Sequence, residues 1–298
     1  MPSPTTELAD NLDGQVVSRY YDAMTGKLTH KYGPGPRLHY HLGYYASGRA
    51  PDHPDGTPPQ TIARSIWKHQ EFHLREAARL WDAGSRFTGT VLDVGCGLGG
   101  GSIFWAQEYG ANVTAVTLAP EHPPILGDFA RRAGVGGQIE TLVCDATEVP
   151  ADRLYDTAVA IESSCQIRRG PWFRHLARLL KPGGSVCIED IFAIRPRGAA
   201  VWADYFHARP GTLAEYVTAA KAAGFALADN TDITTRTTPF WQESIAWTRA
   251  LLDGPGSENL DSEERRRLRI SLIVHHALER EWKSGGMRQA FLRFERRT

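Results

Sequence analysis

The stretch Val91-Leu-Asp-Val-Gly-Cys-Gly-Leu-Gly-Gly-Gly101 constrains this chain more than any other. Its first half alternates apolar and β-branched residues, which predicts a short buried strand. Its second half is too glycine-rich to continue one, and Ser102-Ile-Phe-Trp-Ala-Gln-Glu-Tyr109 then takes helical spacing. Strand, glycine turn and helix form the unit with which a doubly wound sheet holds a nucleotide-like ligand beyond its strand ends. Gly95, Gly97 and Gly99 admit positive φ and let a bulky ligand lie against bare backbone. Asp93, at the end of the strand, can face a cationic ammonium group. Dinucleotide sites also use a glycine turn. Their G-x-G-x-x-G spacing, with an acid about twenty residues on, is not matched here.

The rest of the chain repeats the β-α rhythm. Strands are predicted over Asn112–Leu118, Ile139–Cys144, Tyr155–Ile161 and Ser185–Glu189, with a helix at Trp172–Leu180 stopped by Lys181-Pro-Gly-Gly184. This is the pattern of an α/β, Rossmann-like doubly wound sheet covered on both faces. Phe225–Ile233 and Met287–Arg296 read as further strands, and 213–224 as a helix. The segments near 190–220 and 239–283 interrupt the rhythm and are expected to cap the sheet. Pro239-Phe-Trp241 begins one helix, and 262–283 forms another.

Upstream, residues 1–13 are polar and proline-containing and read as a frayed end. Helices are predicted over Gln15–Leu28 and Thr61–Asp82. Between them, Lys31-Tyr-Gly-Pro-Gly-Pro-Arg-Leu-His-Tyr-His-Leu-Gly-Tyr-Tyr45 excludes a regular element. It reads either as a packed surface turn or as a lid that lays Tyr40, Tyr44 and Tyr45 over a small-molecule site. The expected organisation is an N-terminal helical lid segment at 1–84 and a sheet domain with cap insertions at 85–298.

With 34 basic and 34 acidic side chains, no electrostatic argument favours nucleic acid or an anionic membrane as partner. Arg265, Arg266, Arg267 and Arg269 follow Asp261-Ser262-Glu263-Glu264, acids first and bases later, as on a solvated helix. No apolar run reaches the about 18 residues of a membrane span, and the N-terminus lacks a basic and apolar signal pattern. Cys96, Cys144, Cys165 and Cys187 are scattered, which fits free thiols in a reducing cytoplasm. His69 and His73 share a helix face, but no third metal ligand accompanies them. Oligomeric state is left open, a homo-oligomer included.

The D-x-G-x-G-x-G run at 93–99 resembles the first motif of class I S-adenosylmethionine (SAM) methyltransferases. V-T-A-V-T-L (113–118), C-D-A (144–146) and L-L-K-P-G-G (179–184) extend the likeness. Y-G-P-G-P followed by H-Y-H-L-G, Thr117, the Glu162-Ser163 pair and Pro239-Phe-Trp241 are similar to bacterial terpenoid C-methyltransferases. That group includes geranyl diphosphate C-methyltransferase, with sterol C-methyltransferases more distant. The resemblance implies SAM bound by Asp93, Gly95, Gly97, Gly99, Thr117, Leu118, His122, Asp145 and Ala146. Asp145 would accept from the adenine amino group. Thr117 stands where many nucleotide sites have a ribose-binding acid, so His122 or Glu121 would share that work.

If the nucleophile is an alkene carbon, methylation leaves a carbocation. The site then needs ring faces, each worth roughly 0.5–2 kcal/mol to a cation, and a base to remove a proton. Glu162, at a strand end facing the crevice, is the candidate base, and at an ordinary carboxylate pKa it would already be ionised. Tyr40, Tyr44, Tyr45, Phe206 and Trp241 are the candidate rings. Arg195 and Arg197 could hold a prenyl diphosphate head, with Mg²⁺ bridging its oxygens. The cation can also cyclise before losing its proton. Two alternatives stay open: an O- or N-methyltransferase of another natural product with His39 or His41 as base, and a SAM-fold binding protein without catalysis.

Overall fold

The computed structural model describes residues 14–297; the reading of 1–13 as a frayed end lies outside them. Seven strands form one sheet: β1 (Thr90–Val94), β2 (Asn112–Thr117), β3 (Ile139–Val143), β4 (Tyr155–Ile161), β5 (Leu180–Ala193), β6 (Phe225–Asp232) and β7 (Met287–Arg296). Their order is β3-β2-β1-β4-β5-β7-β6. β1 to β5 run parallel, and β7 lies antiparallel between β5 and β6. Residue parity explains why nearly every position of the central strands is apolar. Val91, Ala115, Val159, Cys187 and Phe291 enter one core, while Leu92, Val116, Ala160, Ile188 and Leu292 enter the other.

The helices are α1 (Gly14–Tyr32), α2 (Pro59–Leu80), α3 (Gly100–Tyr109), α4 (His122–Arg132), α5 (Arg169–Leu179), α6 (Pro196–Phe206), α7 (Leu213–Ala222), α8 (Thr234–Asp253) and α9 (Ser262–Lys283). Local chemistry sets their ends. Thr212 and Glu215 form a reciprocal capping box on α7, and the Asp261 side chain accepts from Glu264 N–H at the start of α9. α3 ends on Gly110 at φ 70°. α5 and α7 cover one face of the sheet. The other face carries α3 and α4, and the core there continues outward into α1, α2, α6, α8 and α9.

Three expectations are adjusted. The 190–220 segment divides: α6 joins the outer helical layer through Trp202, whereas α7 packs beneath the sheet through Tyr216 and Ala220. Lys181-Pro-Gly-Gly184 does follow the end of α5, but it already belongs to β5, whose register against β4 shifts there and where Gly183 takes φ 76°. α8 begins at Thr234, so Pro239 lies inside it instead of opening it. All four cysteines are free. No helix among the described residues is long and apolar enough to cross a membrane.

Phe173 is fully buried between the rings of Phe225 (centroids 5.9 Å) and Phe294 (5.3 Å). Phe173→Ala should lower the unfolding free energy by about 3–5 kcal/mol; urea denaturation measures it, and a loss below 1 kcal/mol (about a CH₂ group's worth) would contradict this packing.

Candidate active site

The strand order reverses between β1 and β4, and there a doubly wound sheet opens a crevice at its carboxyl ends. A cavity of about 590 Å³ occupies it, floored by the loop Asp93–Gly97. Gly95 takes φ 74°, and a Cβ there would fall 2.4 Å from Ser163 Cβ, because the loops after β1 and β4 are pressed together. Ser163 Oγ seals that contact by donating to Val94 O (2.6 Å). Asp93 is buried and accepts from Ser102 Oγ (2.6 Å). Burial pushes its carboxyl up to about 6, an effect the Ser102 hydroxyl partly offsets. At the end of β2, Thr117 Oγ1 accepts from Ala119 N–H and lies 3.2 Å from His122 Nδ1. His122 Nε2 is buried without a protein partner. Asp145 Oδ1 accepts from the Thr147 N–H and hydroxyl, which fixes that carboxylate on the cavity wall.

The segment 33–45 is a strap over this crevice. A Cβ on Gly100 would sit 2.2 Å from Leu38 O, so the strap lies directly on the first turn of α3. Arg37 anchors it to Gln107, Glu108 and Glu71, while Gln70 Nε2 donates to His41 O (2.6 Å). Tyr21, Tyr40, His41, Glu162 and Gln166 then form a wall common to the first cavity and a second one of about 460 Å³. The second cavity is surrounded by rings: Tyr20 and Tyr32 from α1, Trp202, Tyr205 and Phe206 from α6, Phe240, Trp241 and Trp247 from α8.

Glu162 sits on the common wall. It has φ 45°, a conformation non-glycine residues seldom adopt, and this turns its carboxyl back under the strap. Glu162 Oε1 accepts from Leu42 N–H (2.7 Å) and from Gln289 Nε2 (2.9 Å). Gln289 also donates to Glu189 Oε1 (2.7 Å), and Glu189 Oε2 lies 3.5 Å from His73 Nε2. Burial, then the proximity of Glu189, raises the Glu162 carboxyl well above the ordinary Glu value; Glu189 is raised likewise. Burial holds His73 near 3, so the Glu189–His73 contact joins two neutral groups. The expectation of an ordinary carboxylate pKa for Glu162 is therefore corrected: burial and Glu189 shift it toward the protonated form.

The other expected residues divide between the cavities and the packing around them. Asp93, Gly95, Gly97, Thr117, Leu118, His122, Asp145 and Ala146 line the first cavity. Gly99 does not; at φ 85° it lets α3 pack on Leu126. Tyr40, Phe206 and Trp241 line the second cavity. Tyr44 instead packs on Phe72, and Tyr45 is buried with its hydroxyl on Glu243 (2.6 Å) and its ring stacked on His69. Arg195 and Arg197 are exposed and face Glu281, and Arg195 also donates to Ser284. They border neither cavity, because β5 ends beyond the wall and α6 carries them outward. Away from the common wall, the basic side chains that line the second cavity are Lys31, Arg267 and His275. Arg267, expected on a solvated face, thus turns inward. The ring-bearing face of α1 was also missed; its signal was the run Tyr20, Tyr21, Met24, Leu28 and Tyr32 on one helical stripe.

Residues 91–184 match the model of a family described as a methyltransferase domain. Among curated relatives, the methyltransferase GfsG of Streptomyces halstedii is 35% identical over 34% of this chain and 37% of its own. Erythromycin 3''-O-methyltransferase of Saccharopolyspora erythraea is 30% identical over 49% of this chain and 50% of its own. The chain thus spans half or less of the length of these two relatives. A solved structure of geranyl diphosphate C-methyltransferase from Streptomyces coelicolor, in complex with Mg²⁺, geranyl diphosphate and S-adenosyl-L-homocysteine, superposes with a TM-score of 0.74. The two are 15% identical over 96% of this chain and 99% of that one, a likeness of fold. Residues 91–184 thus match a methyltransferase-domain model, and the chain as a whole shares the class I, Rossmann-like α/β fold of that solved structure.

In the unfolded chain Glu162 ionises near its ordinary value of 4.5, whereas folding shifts it toward the protonated form. Unfolding then releases a proton, so wild-type stability falls as pH rises through this window. Glu162→Gln keeps both hydrogen bonds to Oε1 and removes that cost. Its stability advantage over wild type should widen, by up to about 1.4 kcal/mol per pH unit, as pH rises above the ordinary Glu value. Urea denaturation across that range measures it, and a constant difference would show that Glu162 titrates normally.

Proposed function

We propose that this protein transfers a methyl group from S-adenosylmethionine to an alkene carbon of an isoprenoid, a prenyl diphosphate or related terpenoid, with Glu162 as the base. The observation that carries this reading is a buried carboxyl on the wall between a nucleotide-type crevice and a cavity walled by rings. The fold match to a C-methyltransferase that binds geranyl diphosphate supports the substrate class.

The first cavity suits the donor. Bare backbone at Gly97 leaves room for the methionine portion; in this reading Asp93 takes its ammonium, His122 Nε2 and Thr117 the ribose, and Asp145 the adenine, all from the lining of one cavity. When bound, the donor's sulfonium supplies an already activated methyl group. The protein's part is to align the partners and exclude water. The strap, pinned on α2 and α3, closes the site above. The rings of the second cavity stabilise positive charge on the acceptor where no other counter-charge is needed. Positive charge bound beside Glu162 favours its carboxylate form, the displaced proton leaving to solvent, and that carboxylate then takes up the proton the acceptor loses. Leu42 N–H and Gln289 hold its orientation throughout.

The described residues alone supply no closed Mg²⁺ site. Among the described residues no cluster of three metal-ligating side chains exists, and Glu162 and Glu264 are the carboxylates lining the second cavity. No step here uses it.

An O- or N-methyltransferase reading is favoured by the O-methyltransferase among the sequence relatives and by one feature of the site. His41 lines both cavities, its Nδ1 is engaged with Leu42 O (2.8 Å), and burial keeps it neutral with Nε2 unpartnered. That nitrogen could take a proton from a hydroxyl. His39 is less suited, because its Nε2 is bound to Glu71 Oε1 (2.7 Å).

Incubation with labelled SAM and a panel of prenyl diphosphates and prenyl alcohols, with products identified by mass spectrometry, separates the two. The proposal expects a new carbon–carbon bond, lost in Glu162→Gln and retained in His41→Gln; a methyl ether abolished by His41→Gln would overturn it. For the donor, Asp93→Asn should weaken S-adenosylhomocysteine binding about tenfold. Wild-type affinity should stay level above about pH 6 and fall about tenfold per unit below it, as Asp93 takes up its proton. Calorimetry measures both, and a flat profile through that range would remove Asp93 from ammonium recognition.

A further inference from the structure

The second cavity meets a third, outer one of about 740 Å³ through Lys31, Tyr32, Trp247 and Leu251. None of these four residues belongs to the wall shared with the donor crevice. Lys31, at the end of α1, therefore stands at the side of the second cavity that leads outward. Its ammonium lies over three rings, Tyr32 (5.0 Å), Trp247 (5.1 Å) and Phe240 (5.7 Å), and donates to Ser244 Oγ (3.3 Å). Rings and a hydroxyl stabilise a cation without neutralising it. No carboxylate among the described residues pairs with it, and the charged neighbour that acts on it is Arg267, which repels it.

Two further groups converge here. Arg267 comes from α9, and the described residues give it no carboxylate partner either, although Glu264 borders the same cavity one turn away. His275, 5% exposed, lines the cavity, feels the Lys31 charge, and has Nδ1 buried without a partner. Burial and Arg267 pull the Lys31 ammonium down to about 7. A half-buried ammonium with a second cation beside it is stabilised by a ligand that brings the opposite charge. Structural lysines are usually paired, and this one is not.

We propose that the acceptor bears an oxyanion, a carboxylate or a phosphate, at the end of an apolar chain, and that Lys31 and Arg267 bind it on the outward side of the second cavity. This rests on reading that cavity as the acceptor site. The oxyanion lies on Lys31 while the reacting carbon lies against Glu162, so the two walls set the acceptor's orientation. The head group is recognised by this pair, and not by the exposed Arg195 and Arg197.

The test uses the full chain and simple amphiphiles of matched length: octanoate, octyl phosphate and octan-1-ol, followed by calorimetry and tryptophan fluorescence. At least one anion should bind about tenfold or more tightly than the alcohol. Comparing octanoate with octyl phosphate tells which oxyanion the site prefers. Lys31→Met should abolish the preference while leaving octan-1-ol affinity in place, Arg267→Gln should reduce it, and Lys31→Arg should retain it. Anions that bind no better than the alcohol, or not at all, would overturn the inference. So would a Lys31→Met loss equal for all three probes, which is the signature of packing. Because none of the probes is an isoprenoid, an anion preference with no isoprenoid methylation would sink the acceptor class proposed above and leave the oxyanion site standing.

Discussion

Glu162 Oε1 receives Leu42 N–H from the strap and Gln289 Nε2 from β7 while its own backbone terminates β4. One carboxyl oxygen thereby joins the sheet, the loop over it and the last strand of the chain. The left-handed φ of 45° costs on the order of 1 kcal/mol and is maintained because these contacts over-determine it. Removing the side chain would take away this hydrogen bond between strap and strand end and one of the five residues of the wall between the cavities. The position of the acid and the closure of the site are therefore the same structural fact.

The interior around this point is arranged to be neutral. Glu162 and Glu189 are raised, His41 and His73 are lowered, and burial is the first cause in every case. Two carboxyls joined through the amide of Gln289 cannot both ionise in so dry a place. A cationic species entering such an environment meets rings, which favour it, and acids that become anions in response. A region already rich in fixed charge would bind the same cation more tightly in every state and discriminate less between them.

The fold was readable because strand parity and helix periodicity are local. Val91/Leu92 and Val159/Ala160 announce a two-sided sheet within two residues, and the glycine run supplies the cofactor loop as one contiguous segment. The acceptor side was not readable in the same way. Tyr40, Tyr44 and Tyr45 lie within six residues of each other, yet only the first points into the cavity, because irregular backbone carries no period from which direction can be inferred. Lys31 and Arg267 lie on the first and the last helix, and nothing local marks them as neighbours. Gln289 was within reach: it shares parity with Phe291 and Met287 on an apolar strand, where an inward polar residue implies a buried partner. Arg195 and Arg197 were assigned by their distance after β5, but the helix that begins at Pro196 projects them away from the crevice.

If the second cavity takes the acceptor, as proposed, the acceptor's character follows from which charges that cavity contains and where. Ring faces from α1, α6 and α8 surround its middle, the acid lies toward the donor, and the cations lie toward the outside. A heteroatom nucleophile needs a base at the transfer wall but has no use for so many rings, because its methylation leaves a cation that loses a proton to the nearest acceptor at once. A carbon nucleophile leaves positive charge delocalised over the substrate skeleton, and it is there that rings at several positions contribute. Rings along the cavity, and not only at its end, are what distinguish the two chemistries.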